Sequence, residues 1–353
     1  MTARTDRQAA LERIGRDRIL ILDGAMGTQI QDLKLDEAGY RGQRFADWAT
    51  LIKGNNDILN LSAPDAVKAI HHAYFDAGAD IAETNTFSST SIAQADYRMQ
   101  DLAPEIAREG ARLAREAADE QEARTGAPKG VAGAIGPTNK TLSISPQVND
   151  PGFREVDFDQ VRLSYAEQAR AMADHVDFFL VETIFDTLNA KAAIKALIDL
   201  RTEEGIDRPI MLSGTITDRS GRTLSGQTAT AFWYSVRHAM PWAIGLNCAL
   251  GADELRPYIA ELSRVVDTRI LAYPNAGLPN DMGEYDETPD ETAAHLGEWA
   301  RSGLVNILGG CCGTTPAHIR AIAAAAAGAP PHRPAVRERA MHLAGLEPFE
   351  LSA

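Results

Sequence analysis

The sequence holds only 3 cysteines in 353 residues. Two of them, Cys311 and Cys312, are adjacent in the stretch GGCCG, and the third is Cys248. An odd number excludes a complete disulfide framework, and neighbouring cysteines rarely pair with each other, because the bridge geometry conflicts with a trans peptide between them. The thiols are therefore free, metal-bound or catalytic. Three thiolates facing one point make a soft ligand set that selects Zn2+, and three protein ligands leave a fourth position open, the pattern of catalytic zinc. Such a site carries net negative charge and is a poor Lewis acid, so it suits capture of a substrate thiol better than hydrolysis. A free thiol titrates near pH ~8.5, whereas a metal-bound one is deprotonated outright. The chemistry expected of Cys248, Cys311 and Cys312 is activation of a thiol for alkyl transfer, with the metal acting through them. Buried cysteines also serve as small hydrophobes. That explains one isolated cysteine better than three placed at the ends of apolar runs.

Those runs are the elements that must bring the sulfurs together. Eight short, nearly continuous apolar stretches each end in a small polar cluster: 18–27, 79–87, 130–139, 176–186, 208–217, 243–251, 269–277 and 304–313. Continuous rather than alternating apolar character suits strands buried on both faces of a parallel sheet. Helical segments lie between them with recognisable ends. Thr288, Pro289 and Glu291 open one that closes before Gly303; Thr315 and Pro316 open another that closes before Gly328; a third ends at Gly78. The alternation predicts a single-domain (β/α)8 TIM barrel over 1–328, with short N- and C-terminal extensions and active-site residues at the C-terminal strand ends. A doubly wound open sheet is the alternative. The tail 329–353 reads as an appendage without a strand.

In a barrel the sixth and eighth strands are separated by one neighbour, about 10 Å apart, a gap that side chains over the rim can close. Successive strand residues point to opposite faces, so Cys311 and Cys312 can meet one metal only where the strand has ended and the glycines around them let the backbone bend. Asp23, Glu83, Asn85, Thr138, Asn139, Glu182, Asp186, Thr215 and Asn275 would share the same mouth. If the substrate is a thiol amino acid, Asp23 and Glu182 are candidate acceptors for its ammonium, and the backbone N–H groups of Gly24 and Ala25 are candidate donors to its carboxylate. A strand-end acid also commonly caps the following helix. The glycine-rich stretch LSGTITDRSGRTLSGQ lacks the lysine and spacing of a phosphate loop. His71 and His72 fall in a helical segment and read as surface or packing residues.

Composition limits the partners. The formal charge is −14, from 49 acidic and 35 basic residues, without a basic block, which disfavours nucleic acid and anionic membranes. The N-terminus, MTARTDRQAALERIGRDRIL, lacks the apolar core of a signal peptide, and no later run approaches a membrane span. A cytoplasmic location is expected.

In order, DGAMGTQIQ, ETNTF, GPTNKTLSISP, VETIFDTLNAKAA, GLNCALG, YPNAGLPN and GGCCGTTPAHI resemble the homocysteine S-methyltransferase family. GPTNKTLSISP is similar to the N-terminal homocysteine-binding module of its cobalamin-dependent methionine synthase branch. The resemblance implies a zinc-bearing (β/α)8 barrel with Cys248, Cys311 and Cys312 as ligands and Asn275 as a weak fourth ligand. It places Asp23 and Glu182 at the amino-acid end of homocysteine. It also implies methylcobalamin as methyl donor on a partner chain that holds the folate- and cobalamin-binding modules, since no Asp-x-His-x-x-Gly stretch is present and LAGLEPFELSA resembles the joint to a folate module. On that expectation the chain is one subunit of a split enzyme or an excised module. The alternatives are a self-contained methyltransferase using betaine or S-methylmethionine, and a non-catalytic subunit that binds zinc and homocysteine.

Overall fold

The computed structural model describes residues 3–217, 220–336 and 340–352. Eight strands form one parallel sheet in the order β1-β8-β7-β6-β5-β4-β3-β2. They are β1 (Leu20–Ile21), β2 (Ile81–Glu83), β3 (Gly130–Ile135), β4 (Phe178–Ile184), β5 (Ile210–Gly214), β6 (Ala243–Gly251), β7 (Arg269–Asn275) and β8 (Ile307–Leu308). Each lies within one of the eight apolar runs. The first and last strands pair, Leu20 with Ile307 and Ile21 with Leu308, and the seam between β1 and β2 closes through a Leu22–Ile81 bridge. Across that seam both carboxylate oxygens of Asp23 accept from the Glu83 N–H, at 3.2 and 3.1 Å. This closure distinguishes the (β/α)8 barrel from an open doubly wound sheet.

The barrel interior is packed rather than hollow. Leu20, Leu22, Ile81, Phe178, Leu180, Met211, Leu271 and Ile307 fill it, all at 0–1% exposure. Leu11, from the N-terminal helix Ala3–Asp17, joins that cluster. The N-terminal extension thus plugs the lower end, leaving the C-terminal strand ends as the accessible face. The helix ends follow the sequence signals. Thr288 and Glu291 form a reciprocal capping box on Pro289–Arg301, Thr315 caps Pro316–Ala326 with His318 as its partner, and Gly78 closes Pro64–Ala77 in the left-handed conformation. His71 is fully buried in that last helix, so it is a packing residue, whereas His72 pairs with Glu120 at the surface.

The tail departs from expectation. Residues 340–352 form an antiparallel hairpin, β9 (Ala340–Ala344) and β10 (Pro348–Ser352). It rests on the helix Ala229–Val236, where the Tyr234 hydroxyl donates to Glu350 and the Tyr234 ring meets His342 edge-on at 4.6 Å. The hairpin alternates apolar and polar residues, and a search for continuous apolar runs passes over that period. Among the described residues no helix is long and apolar enough to cross a membrane.

Candidate metal centre

The backbone turns sharply at both places that carry sulfur. In β6 the pairing register with β7 shifts between Asn247 and Gly251, and Cys248 and Ala249 sit at φ +59° and +55°. Non-glycine residues held in this region cost roughly 1–3 kcal/mol each and persist where the surroundings over-determine them. After β8 the chain bends through GGCCG. A Cβ on Gly310 would lie 2.3 Å from Thr314 Cγ2, so glycine is required there for close approach. Gly313 has φ +82° and abuts Tyr285.

The result is a three-sulfur cluster. The Sγ atoms of Cys248, Cys311 and Cys312 all lie within 4.8 Å of one another. Cys248 to Cys312 is 3.6 Å and Cys311 to Cys312 is 4.0 Å. As metal-free thiols the three share protons unequally. Cys312 is pulled down to about 3 by the S–H groups of Cys248 and then Cys311, while hydrogen bonds to Cys248 and Cys312, with burial, push Cys311 well up. Crowding thus allows one thiolate, and a dication between them lets all three ionise.

Asn275 lies beside this cluster. Its neighbours are tied to the cysteine pair, since the Cys311 N–H donates to the Pro274 carbonyl at 2.8 Å and the Ala276 N–H to the Cys312 carbonyl at 2.9 Å. Its own Oδ1 is buried and lacks a hydrogen-bond partner among the described residues, with the residue 2% exposed. A buried, unpaired amide oxygen on a residue whose two neighbours bond to the cysteine pair fits a metal ion. The donor set of three soft sulfurs and one oxygen fits zinc.

Of the amino-acid-binding candidates, Asp23 and Glu182 are both buried under the mouth. The Glu182 carboxyl is pushed up to about 8, first by burial, and the Tyr273 hydroxyl approaches its Oε2 at 3.5 Å. Asp23 is also pushed up, by burial and by the charge of Glu182. Ala25 is differently placed than expected. Its N–H donates to Thr314 Oγ1 at 3.1 Å, and Thr314 in turn holds the Cys311 carbonyl, which leaves Gly24 as the remaining backbone donor at that corner.

The other strand-end residues divide. Asp186 caps the helix Thr187–Glu204 and also binds Ser143, the structural role open to any strand-end acid. Asn85 and Thr138 tie loops together, Thr215 holds the Asn247 carbonyl, and Asn139 turns outward to Asp96. Glu83 is more informative. One of its carboxylate oxygens is buried without a partner among the described residues, and the carboxyl is raised by burial and by the charges of Glu182 and Asp23. Its place in ETNTF could have shown it, but sequence reasoning gave it no role. Tyr285, which packs against Gly313 from the loop after β7, carried no spacing signal.

Residues 20–326 match the model of the homocysteine S-methyltransferase family. The chain belongs to that family. Among solved structures, this homocysteine S-methyltransferase barrel is similar to the Escherichia coli homocysteine methyltransferase MmuM. In its metallated form MmuM has 22% identity and a TM-score of 0.68, with 89% of this chain and 98% of that chain covered. The apo form of MmuM gives 20% identity and 0.63, with 90% and 99% covered. At such identities the structural likeness supports the barrel, and the family match supports a methyltransferase acting on homocysteine.

Proposed function

We propose that this methyltransferase is the zinc-dependent, homocysteine-activating part of a cobalamin-dependent methionine synthase, with methylcobalamin as the co-substrate that a partner chain delivers. The observation that carries the reading is the three-sulfur cluster, with an unpaired, buried oxygen on Asn275 at the end of the strand between the two that carry the sulfurs. Zinc held by Cys248, Cys311 and Cys312 supplies a low pKa for the homocysteine thiol and keeps its sulfur nucleophilic. The chain's residues do the rest. Asp23 and Glu182 accept hydrogen bonds from the substrate ammonium, Gly24 donates to its carboxylate, and Tyr273 steadies Glu182. The thiol proton leaves to solvent before transfer. A sulfur–carbon bond then forms as the methyl–cobalt bond breaks, with the electron pair left on the donor.

Delivery by a macromolecule is supported by the rim. Large apolar side chains stand exposed on the loops that follow five different strands, Leu51, Phe87, Val148, Leu224 and Met282, and by topology these loops surround the mouth. Exposed apolar residues gathered on one face mark an interaction surface. The acidic composition supports a cytoplasmic setting, and the family match over 20–326 together with the closed sheet supports a homocysteine-binding barrel over 1–328. A second reading, self-contained transfer from S-methylmethionine or betaine, is supported by the coverage of MmuM, 98% of whose chain aligns with this one. Incubation with homocysteine and each donor separates the two. Turnover with S-methylmethionine or betaine alone contradicts the partner-delivered donor, and turnover only with methylcobalamin supports it.

A further inference from the structure

One buried amide joins the two halves of this site. Asn247, at 0% exposure, uses its whole hydrogen-bonding capacity. Its Oδ1 accepts from the Thr183 N–H at 3.1 Å and from Ser213 Oγ at 2.6 Å. Its Nδ2 donates to Thr183 Oγ1 at 2.9 Å and reaches Cys311 Sγ at 3.8 Å. Thr183 directly follows Glu182 and is β-branched, yet it sits at φ +52°, a genuine outlier for such a residue. The β4–β5 register breaks at the same place, between Val181 and Ile184. The Thr183 N–H is therefore held by the Asn247 side chain at a break in the ladder. Asn247 in turn is fixed by Thr215 through its carbonyl at 2.5 Å and immediately precedes Cys248.

We propose that Asn247 is a positioning residue that couples the sulfur cluster to the ammonium pocket. Its amide sets the turn at Thr183, which aims Glu182, and the same amide donates to Cys311. When a metal draws Cys311 Sγ into its ligand shell, the donor on that sulfur and the turn it holds adjust together. Coupling of this kind is reciprocal, so a filled ammonium pocket also favours metal. Asparagine alone fits the position. Aspartate keeps the two acceptor contacts and loses the N–H to sulfur, glutamine is too long, and serine cannot span Thr183 and Cys311. The inference rests on the reading of Glu182 as ammonium acceptor and of the cysteines as the zinc site.

The test uses L-2-aminobutyrate, which carries the ammonium and carboxylate but no thiol, so its binding reports the pocket without entering the metal shell. Its affinity is measured by calorimetry on the zinc-free and zinc-loaded full chain, and zinc affinity by competition with a chromophoric chelator. In the wild type, zinc should tighten aminobutyrate about fivefold or more. Asn247→Ala should lower zinc affinity by about 10- to 100-fold and bring the ratio of aminobutyrate affinities close to one. Asn247→Asp, which keeps the acceptor contacts to the Thr183 N–H and the Ser213 hydroxyl, should also lose the ratio while binding aminobutyrate in the zinc-free state no more weakly than wild type. It serves as the deciding variant if the alanine form does not fold. An unchanged ratio in the variant overturns the coupling role alone. Failure of aminobutyrate to bind the wild type, or indifference of its binding to Glu182→Gln, overturns the pocket reading and the inference with it.

Discussion

Cys248 Sγ lies 3.6 Å from Cys312 Sγ, although 64 positions separate them, and that is closer than Cys312 lies to its own neighbour Cys311, at 4.0 Å. The barrel, rather than the adjacency in sequence, makes the site. A disulfide needs its sulfurs at about 2.05 Å and a suitable torsion, which a small shift of the loop after β8 gives to Cys248 and Cys312, while the peptide between Cys311 and Cys312 opposes their union. Metal-stripped protein treated with a thiol oxidant such as diamide should therefore form one Cys248–Cys312 bridge per chain, and zinc-loaded protein should resist. Peptide mapping reads the outcome; a Cys311–Cys312 bridge as the main product would contradict the geometry.

The amino-acid pocket makes a second prediction. Glu182 is buried and its carboxyl is raised to about 8, so its acceptor charge is absent at low pH and develops as pH rises through that value. Homocysteine affinity should accordingly increase between pH 6 and 8. Glu182→Gln should weaken homocysteine binding by about tenfold, equivalent to ~1.4 kcal/mol, and reduce the slope of the profile to the part that release of the thiol proton contributes, while leaving zinc content unchanged. Calorimetric titration across that range checks both parts. A variant that retains the wild-type slope would assign the titration to another group.

Both the strengths and the gaps of sequence reading have physical causes. The barrel was legible because each buried strand is a short apolar run closed by polar residues, and because Thr288 and Thr315 announce their helices. The cysteines were legible because their number is odd and their strand-end positions converge once the runs are counted. Asn247 was not assigned a role, since nothing in its type or spacing reveals that its amide reaches Thr183, 64 positions away. The strained φ at Thr183 arises from that tertiary contact. Ala25 failed for a similar reason: its N–H is taken by Thr314, which lies 289 positions along the chain. The hairpin 340–352 escaped because its apolar residues alternate.

Acid stability provides a third prediction. His71 is fully buried with both ring nitrogens unpaired among the described residues, and burial, aided by the charge of His72, lowers its pKa from 6.5 to about 3. The native state refuses a proton that the unfolded chain accepts. Its contribution to stability is therefore complete above pH 6.5 and is lost as pH falls from 6.5 toward 3. By pH 5 this loss should reach about 2 kcal/mol. His71→Leu should remove it, so that urea unfolding at pH 7 and pH 5 shows a smaller drop for the variant; an identical drop would place the acid sensitivity elsewhere.

The central claim is that a homocysteine sulfur completes a shell begun by Cys248, Cys311 and Cys312. X-ray absorption at the zinc edge tests it most directly. The loaded protein should show three sulfur neighbours and one lighter atom, consistent with the Asn275 oxygen or water, and addition of L-homocysteine should convert this to four sulfurs. A zinc shell that does not gain a sulfur on addition of homocysteine, or a protein that binds no stoichiometric zinc, would contradict the account.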